Sequence, residues 1–112
     1  MLRRSHTATI EQNETYTKNF DTEPYECGWA SEVTWFVRVI NLAEGTSMKF
    51  IPQISPDGLF WCDKEGTEPF HITEEKLYAC ELNNFGSWLR LRCVLDGENP
   101  QIKIMVHLAL KE

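Results

Sequence analysis

Apolar and polar side chains alternate along most of the chain with a period of two, the spacing of half-buried strands and not of helices. The pattern is plainest in three stretches. Over residues 32–40, Val33, Trp35, Val37 and Val39 share one face, while Thr34, Phe36, Arg38 and Ile40 share the other. A wholly apolar face backed by a half-apolar one suits a strand in the middle of a sandwich. Over 87–95, Leu89, Leu91, Cys93 and Leu95 oppose Trp88, Arg90, Arg92 and Val94. Over 102–110, Ile102, Ile104, Val106, Leu108 and Leu110 form a continuous apolar face, with Lys103, Met105, His107 and Ala109 on its reverse.

The same period recurs more weakly elsewhere. Met48, Phe50, Pro52 and Ile54 alternate with Lys49, Ile51, Gln53 and Ser55. Pro52 has no N–H for a ladder, which predicts an edge position or a bulge there. Ser55-Pro56-Asp57-Gly58 is a turn signal, with proline fixing φ and glycine free to take a positive one. Leu59 to Cys62 then reads as the returning strand of a hairpin. Phe70-His71-Ile72 and residues 76–82 are further strands, and Thr7–Ile10 and Thr15–Phe20 are two short ones. Residues 21–31 read as irregular, and no stretch reads as a helix. Strands separated by turn chemistry every roughly 8 to 12 residues define an all-β chain. We expect a single-domain antiparallel β-sandwich, jelly-roll-like, of about eight strands, with residues 1–12 as an N-terminal arm and 13–112 as the sandwich.

Length and charge narrow the partners. The 112 residues fit one domain, and 17 acidic against 11 basic residues give a net charge of -6. That balance speaks against a nucleic-acid partner, which needs clustered Lys and Arg. Arg3 and Arg4 concentrate basic charge at the start of the chain, where an arm could touch an acidic neighbour. The four cysteines, Cys27, Cys62, Cys80 and Cys93, contain no C-x-x-C pair. A structural metal is therefore not expected. We read them as small buried hydrophobes of a chain made in a reducing cytosol. No apolar run approaches the roughly 20 residues that span a bilayer, and no signal-peptide pattern is visible, so no membrane partner is expected.

Candidate chemistry is sparse. His6, His71 and His107 lie in no recognised catalytic motif, and the acidic pairs Glu74-Glu75 and Asp63/Glu65 fall in turns. We expect no enzyme, no cofactor and no metal. The aromatics carry more. Trp35 belongs to the core by its face. Trp61 follows the Pro56-Asp57-Gly58 turn and could clamp it. Trp88 shares a face with Arg90 and Arg92, and tryptophan beside arginine is the composition that protein interfaces favour. The candidate interface residues are Arg3, Arg4, Trp29, Trp61, Trp88, Arg90 and Arg92. Trp29, Trp61 and Trp88 equally define an alternative, a carbohydrate-binding or other surface-binding module in which flat rings stack on sugars.

The segment Ser55-Pro56-Asp57-Gly58-Leu59-Phe60-Trp61 resembles an S-x-D-G-x-x-W hairpin of small β-sandwich proteins encoded by tailed phages and prophages. Gly45-Thr46-Ser47 before it, Asn84-Phe85-Gly86 and Leu89-Arg90-Leu91-Arg92 after it, Asp96-Gly97-Glu98-Asn99-Pro100, and an alternating last strand ending in Lys111 are similar to the same pattern. The resemblance covers residues 32 to 111. It implies a virion component, such as a capsid decoration (cement) protein. The implied partners are copies of itself, with a trimer as the leading symmetry, and a capsid or other virion protein.

Overall fold

The computed structural model describes residues 4–112. It contains ten strands: β1 (Ser5–Tyr16), β2 (Phe20–Asp21), β3 (Tyr25–Glu26), β4 (Glu32–Leu42), β5 (Ser47–Ser55), β6 (Cys62–Asp63), β7 (Phe70–Ile72), β8 (Leu77–Asn83), β9 (Trp88–Asp96) and β10 (Ile102–Lys111). The first sheet has the order β1-β10-β4-β8. The second runs β2-β9-β5-β6, with β3 beside β2 along β9 and β7 beside β6 along β5. Every pairing is antiparallel.

The topology is one long hairpin, rolled up. Its arms pair as β1 with β10, β2 and β3 with β9, β4 with β8, and β5 with β6 and β7. Rolling then brings β10 against β4 and β9 against β5. Two of the eight strand positions are each broken into two short pieces, so ten strands occupy the eight positions of a jelly-roll sandwich. The chain is the all-β sandwich that its alternation predicts.

The faces divide as the alternation demands. Val33, Trp35, Val37 and Val39 meet Met48, Phe50, Leu89, Leu91, Cys93 and the five apolar residues of β10 in one core between the sheets. Trp35 is fully buried, and its indole nitrogen has no hydrogen-bond partner among the described residues. That orphan donor costs about 1–3 kcal/mol. Burying about 200 Å² of ring at about 25 cal/mol per Å² is worth more, so the tryptophan is retained.

Several local expectations are corrected. Thr7–Ile10 and Thr15–Phe20 are not separate strands. Thr7–Ile10 and Thr15–Tyr16 are parts of β1, kept in one element by register shifts between Thr9, Glu11 and Glu14 and by a left-handed Asn13 (φ 52°), while residues 17–19 leave the strand and Phe20 opens β2. From Ser5 onward the segment expected as an arm lies in this edge strand, and residue 12 falls inside it. Residues 21–31 include β3, and the break between β2 and β3 is bridged by Thr22, which exchanges hydrogen bonds with Leu91 through its backbone and hydroxyl. Pro52 is neither at an edge nor at a bulge. β5 lies inside the second sheet, and because Leu91 turns its N–H and C=O to Thr22, its partner Pro52 faces away from β9. The missing N–H therefore points to the gap between β6 and β7, where only the Pro52 carbonyl is used, by Lys64 N–H at 2.9 Å. Leu59 to Trp61 are loop, and only Cys62–Asp63 return as strand. Of the cysteines, Cys27 and Cys93 are buried and Cys80 is half-buried, but Cys62 is exposed; all four are free thiols.

Candidate functional site: a tryptophan–arginine face with a projecting loop

The outer face of the second sheet gathers most of the candidate residues. Strand alternation sends Trp88, Arg90 and Arg92 of β9 outward, and the β5–β9 register sets them opposite Ser55, Gln53 and Ile51. Arg90 is the centre of the face. Its Nε donates to Gln53 Oε1 at 2.8 Å, and its guanidinium lies 3.5 Å from Asp21 Oδ2 and 4.4 Å from the centre of the Trp61 ring. Gln53 is buried at 7% exposure and passes the network on, donating to Asp63 Oδ1 at 2.9 Å. Arg92 takes the other oxygen of Asp21 at 3.1 Å. Two guanidinium groups thus share the face with two carboxylates: Asp21 pairs with both arginines, and Asp63 is joined to Arg90 through Gln53.

Beyond Ser55 the chain turns outward. Ser55 Oγ accepts from the N–H groups of Asp57 and Gly58 and donates to Asp57 Oδ1. That same Oδ1 accepts from Leu59 N–H at 2.9 Å and Phe60 N–H at 3.1 Å. These two backbone hydrogen bonds hold the Asp57 carboxyl below the usual carboxylate range. Gly58 takes φ +79°, and a Cβ there would stand 3.2 Å from the Trp88 ring. The tip built in this way presents Leu59 and Phe60, each 77% exposed. Two large apolar side chains on a loop whose backbone is hydrogen-bonded in place form a ready contact surface, since little order remains to be gained on binding.

The sequence-predicted residues fall into two groups. Trp61, Trp88, Arg90 and Arg92 share this face. Arg4 and Trp29 sit together elsewhere, beside the end of β10: the Arg4 guanidinium lies 4.7 Å from the Trp29 ring centre and pairs with Glu112 at 3.0 Å. Arg3 lies outside the described residues. The ring clamped by the Gly58 turn is Trp88, and Trp61 instead lies against Arg90. Sequence reasoning missed Asp21, Gln53 and Asp63, whose roles come only from cross-strand register. It also took Leu59 and Phe60 for strand. Their signal was present in Asp57, a turn aspartate two and three residues before them, the spacing at which an aspartate holds the following N–H groups.

Three of the four cysteines, Cys27, Cys80 and Cys93, lack the setting of reactive thiols. Burial is the main cause that pushes Cys27 up to about 12 and raises Cys80 and Cys93 above the ordinary thiol range. Among the described residues no three His, Cys, Asp or Glu side chains are grouped to hold a metal ion.

A jelly-roll sandwich with this face is the class of protein the structure defines. No protein-family model and no curated protein sequence matches the chain. Solved structures do share its fold. The SPBc2 prophage-derived protein YomS superposes with a TM-score of 0.68 at 10% identity, over 100% of this chain and 96% of that one. The PBSX exported protein XepA gives 0.59 at 13% identity, over 97% of this chain and 36% of that one. A chain of infectious bursal disease virus, Gx strain, gives 0.57 at 9% identity, over 99% of this chain and 32% of that one. At these identities the likeness is one of fold, and the neighbours in fold are phage-derived and viral, as the hairpin resemblance implies.

Proposed function

We propose that the chain is a non-enzymatic assembly protein of a phage or prophage particle, such as a capsid decoration (cement) protein, acting through protein–protein contacts. The observation that carries this reading is the outer face of the second sheet. There a pre-formed Leu59–Phe60 tip stands beside a Trp61, Trp88, Arg90 and Arg92 platform whose charges are already balanced. A catalytic site would need polar groups left available to a reacting atom. Here Arg90, Gln53, Asp21 and Asp63 engage one another, which favours a contact surface of anchored aromatic and arginine side chains. The shared fold with YomS, XepA and the bursal disease virus chain supports a virion setting.

Such a protein is expected to meet copies of itself under closed cyclic symmetry, a trimer being the leading form, and to meet a capsid or other virion protein. Each stable contact would bury on the order of 1,600 Å². The carbohydrate-binding alternative needs free, parallel ring faces. Trp29 stands apart with Arg4, the Trp61 ring is covered on one side by Arg90, and Trp88 lies beneath Gly58, so the geometry favours the assembly reading.

The test is quantitative mass spectrometry of gradient-purified particles from the strain that encodes the chain. Recovery in a fixed, many-copy ratio to the main shell protein is expected. Absence from intact particles, with the chain abundant in the surrounding lysate, would overturn the proposal.

A further inference from the structure

The outer face of the first sheet differs from that of the second in leaving polar side chains available around a cavity. Lys111, Glu32 and Asn83 lie side by side across β10, β4 and β8, and Ala109, Thr34 and Glu81 form the next row on the same face. With strands about 4.8 Å apart and alternate residues about 7 Å apart, the two rows cover a patch of about 10 by 7 Å. Ala109 and Thr34 are short, so the patch is hollow where they stand beside the longer Lys111, Glu32 and Glu81. Gly66 and Thr67, in the loop between β6 and β7, complete the wall of a cavity of about 370 Å³. A Cβ on Gly66 would meet nothing within 4 Å, so the space beside the loop is open and not a packing seam. The volume falls at the lower end of the range of about 300–1,000 Å³ that small-ligand sites span.

Among the described residues no hydrogen bond or ion pair engages the side chains of Thr34, Thr67, Glu81 or Lys111. On the opposite sheet, by contrast, Arg90, Gln53 and Asp21 hold one another. We infer that the cavity binds a neutral, hydroxyl-rich ligand, a saccharide. Carboxylates only accept hydrogen bonds and an ammonium only donates, whereas a sugar hydroxyl does both. Adjacent hydroxyls of one ring can donate to Glu81 and accept from Lys111, and the Thr34 and Thr67 hydroxyls serve in either sense. Other ligand classes fit the lining less well. An anion would meet Glu32 and Glu81, and an organic cation would meet Lys111. A metal ion lacks three grouped His, Cys, Asp or Glu ligands among the described residues. A flat apolar ligand finds no ring to stack on, and Val33 and Leu82, which also border the cavity, turn their side chains to the core. Recognition by hydrogen bonds in a pocket does not need the stacking platform that Trp29, Trp61 and Trp88 fail to make. The site lies on the sheet opposite the proposed contact face, so the inference stands apart from the assembly reading and both sites can be filled in one molecule.

Amide chemical shifts of the isotope-labelled full chain, titrated in turn with D-glucose, D-galactose, D-mannose and N-acetyl-D-glucosamine, test this. At least one sugar should bind with a Kd of about 1–10 mM. It should move the amides of Thr34, Gly66, Thr67 and Glu81 and leave those of Trp88 and Arg90 in place. Glu81→Ala removes an acceptor, and Ala109→Leu fills the hollow. Both positions face outward from the sheet, and circular dichroism confirms folding. Each variant should weaken binding at least ~10-fold, the loss of one hydrogen-bonding group or of the space for the ring. Phe60→Ser, in the loop of the other sheet, should leave binding unchanged. No shift at the cavity amides with any of these sugars at about 50 mM overturns the inference. Binding that both cavity variants leave intact overturns it too, as do shifts confined to the surroundings of Trp61 and Trp88. Spermidine moving the same amides where the sugars do not assigns the cavity to cations and also overturns it. None of these outcomes touches the assembly reading, which absence from purified particles strikes alone.

Discussion

Arg90→Ala removes the centre of the tryptophan–arginine face, and its cost follows from the geometry. Gln53 is 7% exposed, and its Oε1 loses the donor at 2.8 Å; an orphaned buried acceptor costs about 1–3 kcal/mol. The guanidinium over Trp61 contributes about 0.5–1 kcal/mol at a partly exposed site. The pair with Asp21 is 3.5 Å long, between side chains 20% and 33% exposed. Solvent screening holds it to about 1 kcal/mol at most, and Arg92 still serves Asp21. The total is about 1.5–5 kcal/mol. With an unfolding entropy of about 2.1 cal/mol/K per residue, a chain of this length loses roughly 4 °C per kcal/mol. The melting temperature should therefore fall by about 6–20 °C. Urea unfolding followed by tryptophan fluorescence, at one fixed protein concentration so that association does not shift the result, measures the same loss. Gln53→Leu sharpens the test. In the wild type it strands Arg90 Nε and should destabilise. In Arg90→Ala, where Oε1 is already orphaned, it should cost about 1 kcal/mol less, the bond to Asp63 being lost in both backgrounds. A loss under about 1 kcal/mol for Arg90→Ala, with Gln53→Leu costing the same in both backgrounds, would refute the network.

Three further outcomes follow from the loop and the thiols. The Asp57 carboxyl is lowered by the Leu59 and Phe60 N–H groups, so its contribution is present above the unfolded value near 3.9 and is lost only as pH falls through the lower folded value. The Leu59 and Phe60 amide resonances should stay fixed from neutral pH down through the ordinary carboxylate range and move only below it; movement near pH 4–5 would contradict the hydrogen bonds. Gly58→Ala forces a left-handed alanine against the Trp88 ring at 3.2 Å. It should cost about 1–3 kcal/mol in urea unfolding and shift the Trp88 indole resonance, and a neutral result would show that the turn is not packed there. Cys62 is exposed while the other three thiols are buried or half-buried, so a thiol reagent should label the folded chain rapidly once, and Cys62→Ser should abolish that phase.

The sequence carries the core of this fold almost completely, because β4, β9 and β10 each have one unbroken apolar face and a period of two says which side is inward. It carries the edges poorly. β1 reads as two fragments, since its bulges shift the alternation just where Asn13 adopts a left-handed turn. Pro52 points to an edge because sequence shows the missing N–H but not its direction, and direction depends on which neighbour strand exists at that row. The site is legible in part for the same reason. Trp88, Arg90 and Arg92 are adjacent on one strand, so their common face can be read directly. Asp21 and Gln53 reach Arg90, and Asp63 reaches Gln53, from three other strands, and only the register of β2, β5 and β6 brings them there. Leu59 and Phe60 look like strand residues until the Asp57 carboxylate is seen to hold their N–H groups out of any ladder.

Hydrogen exchange compared between the assembled protein and the dissociated chain bears directly on whether the outer face of the second sheet is the contact. Slower exchange on assembly is expected at residues 57–63 and along β9 from Trp88 to Arg92, with the outer face of β1, β10, β4 and β8 unchanged. Protection confined to the first sheet, with residues 57–63 exchanging as fast in the assembly as in the free chain, would contradict it.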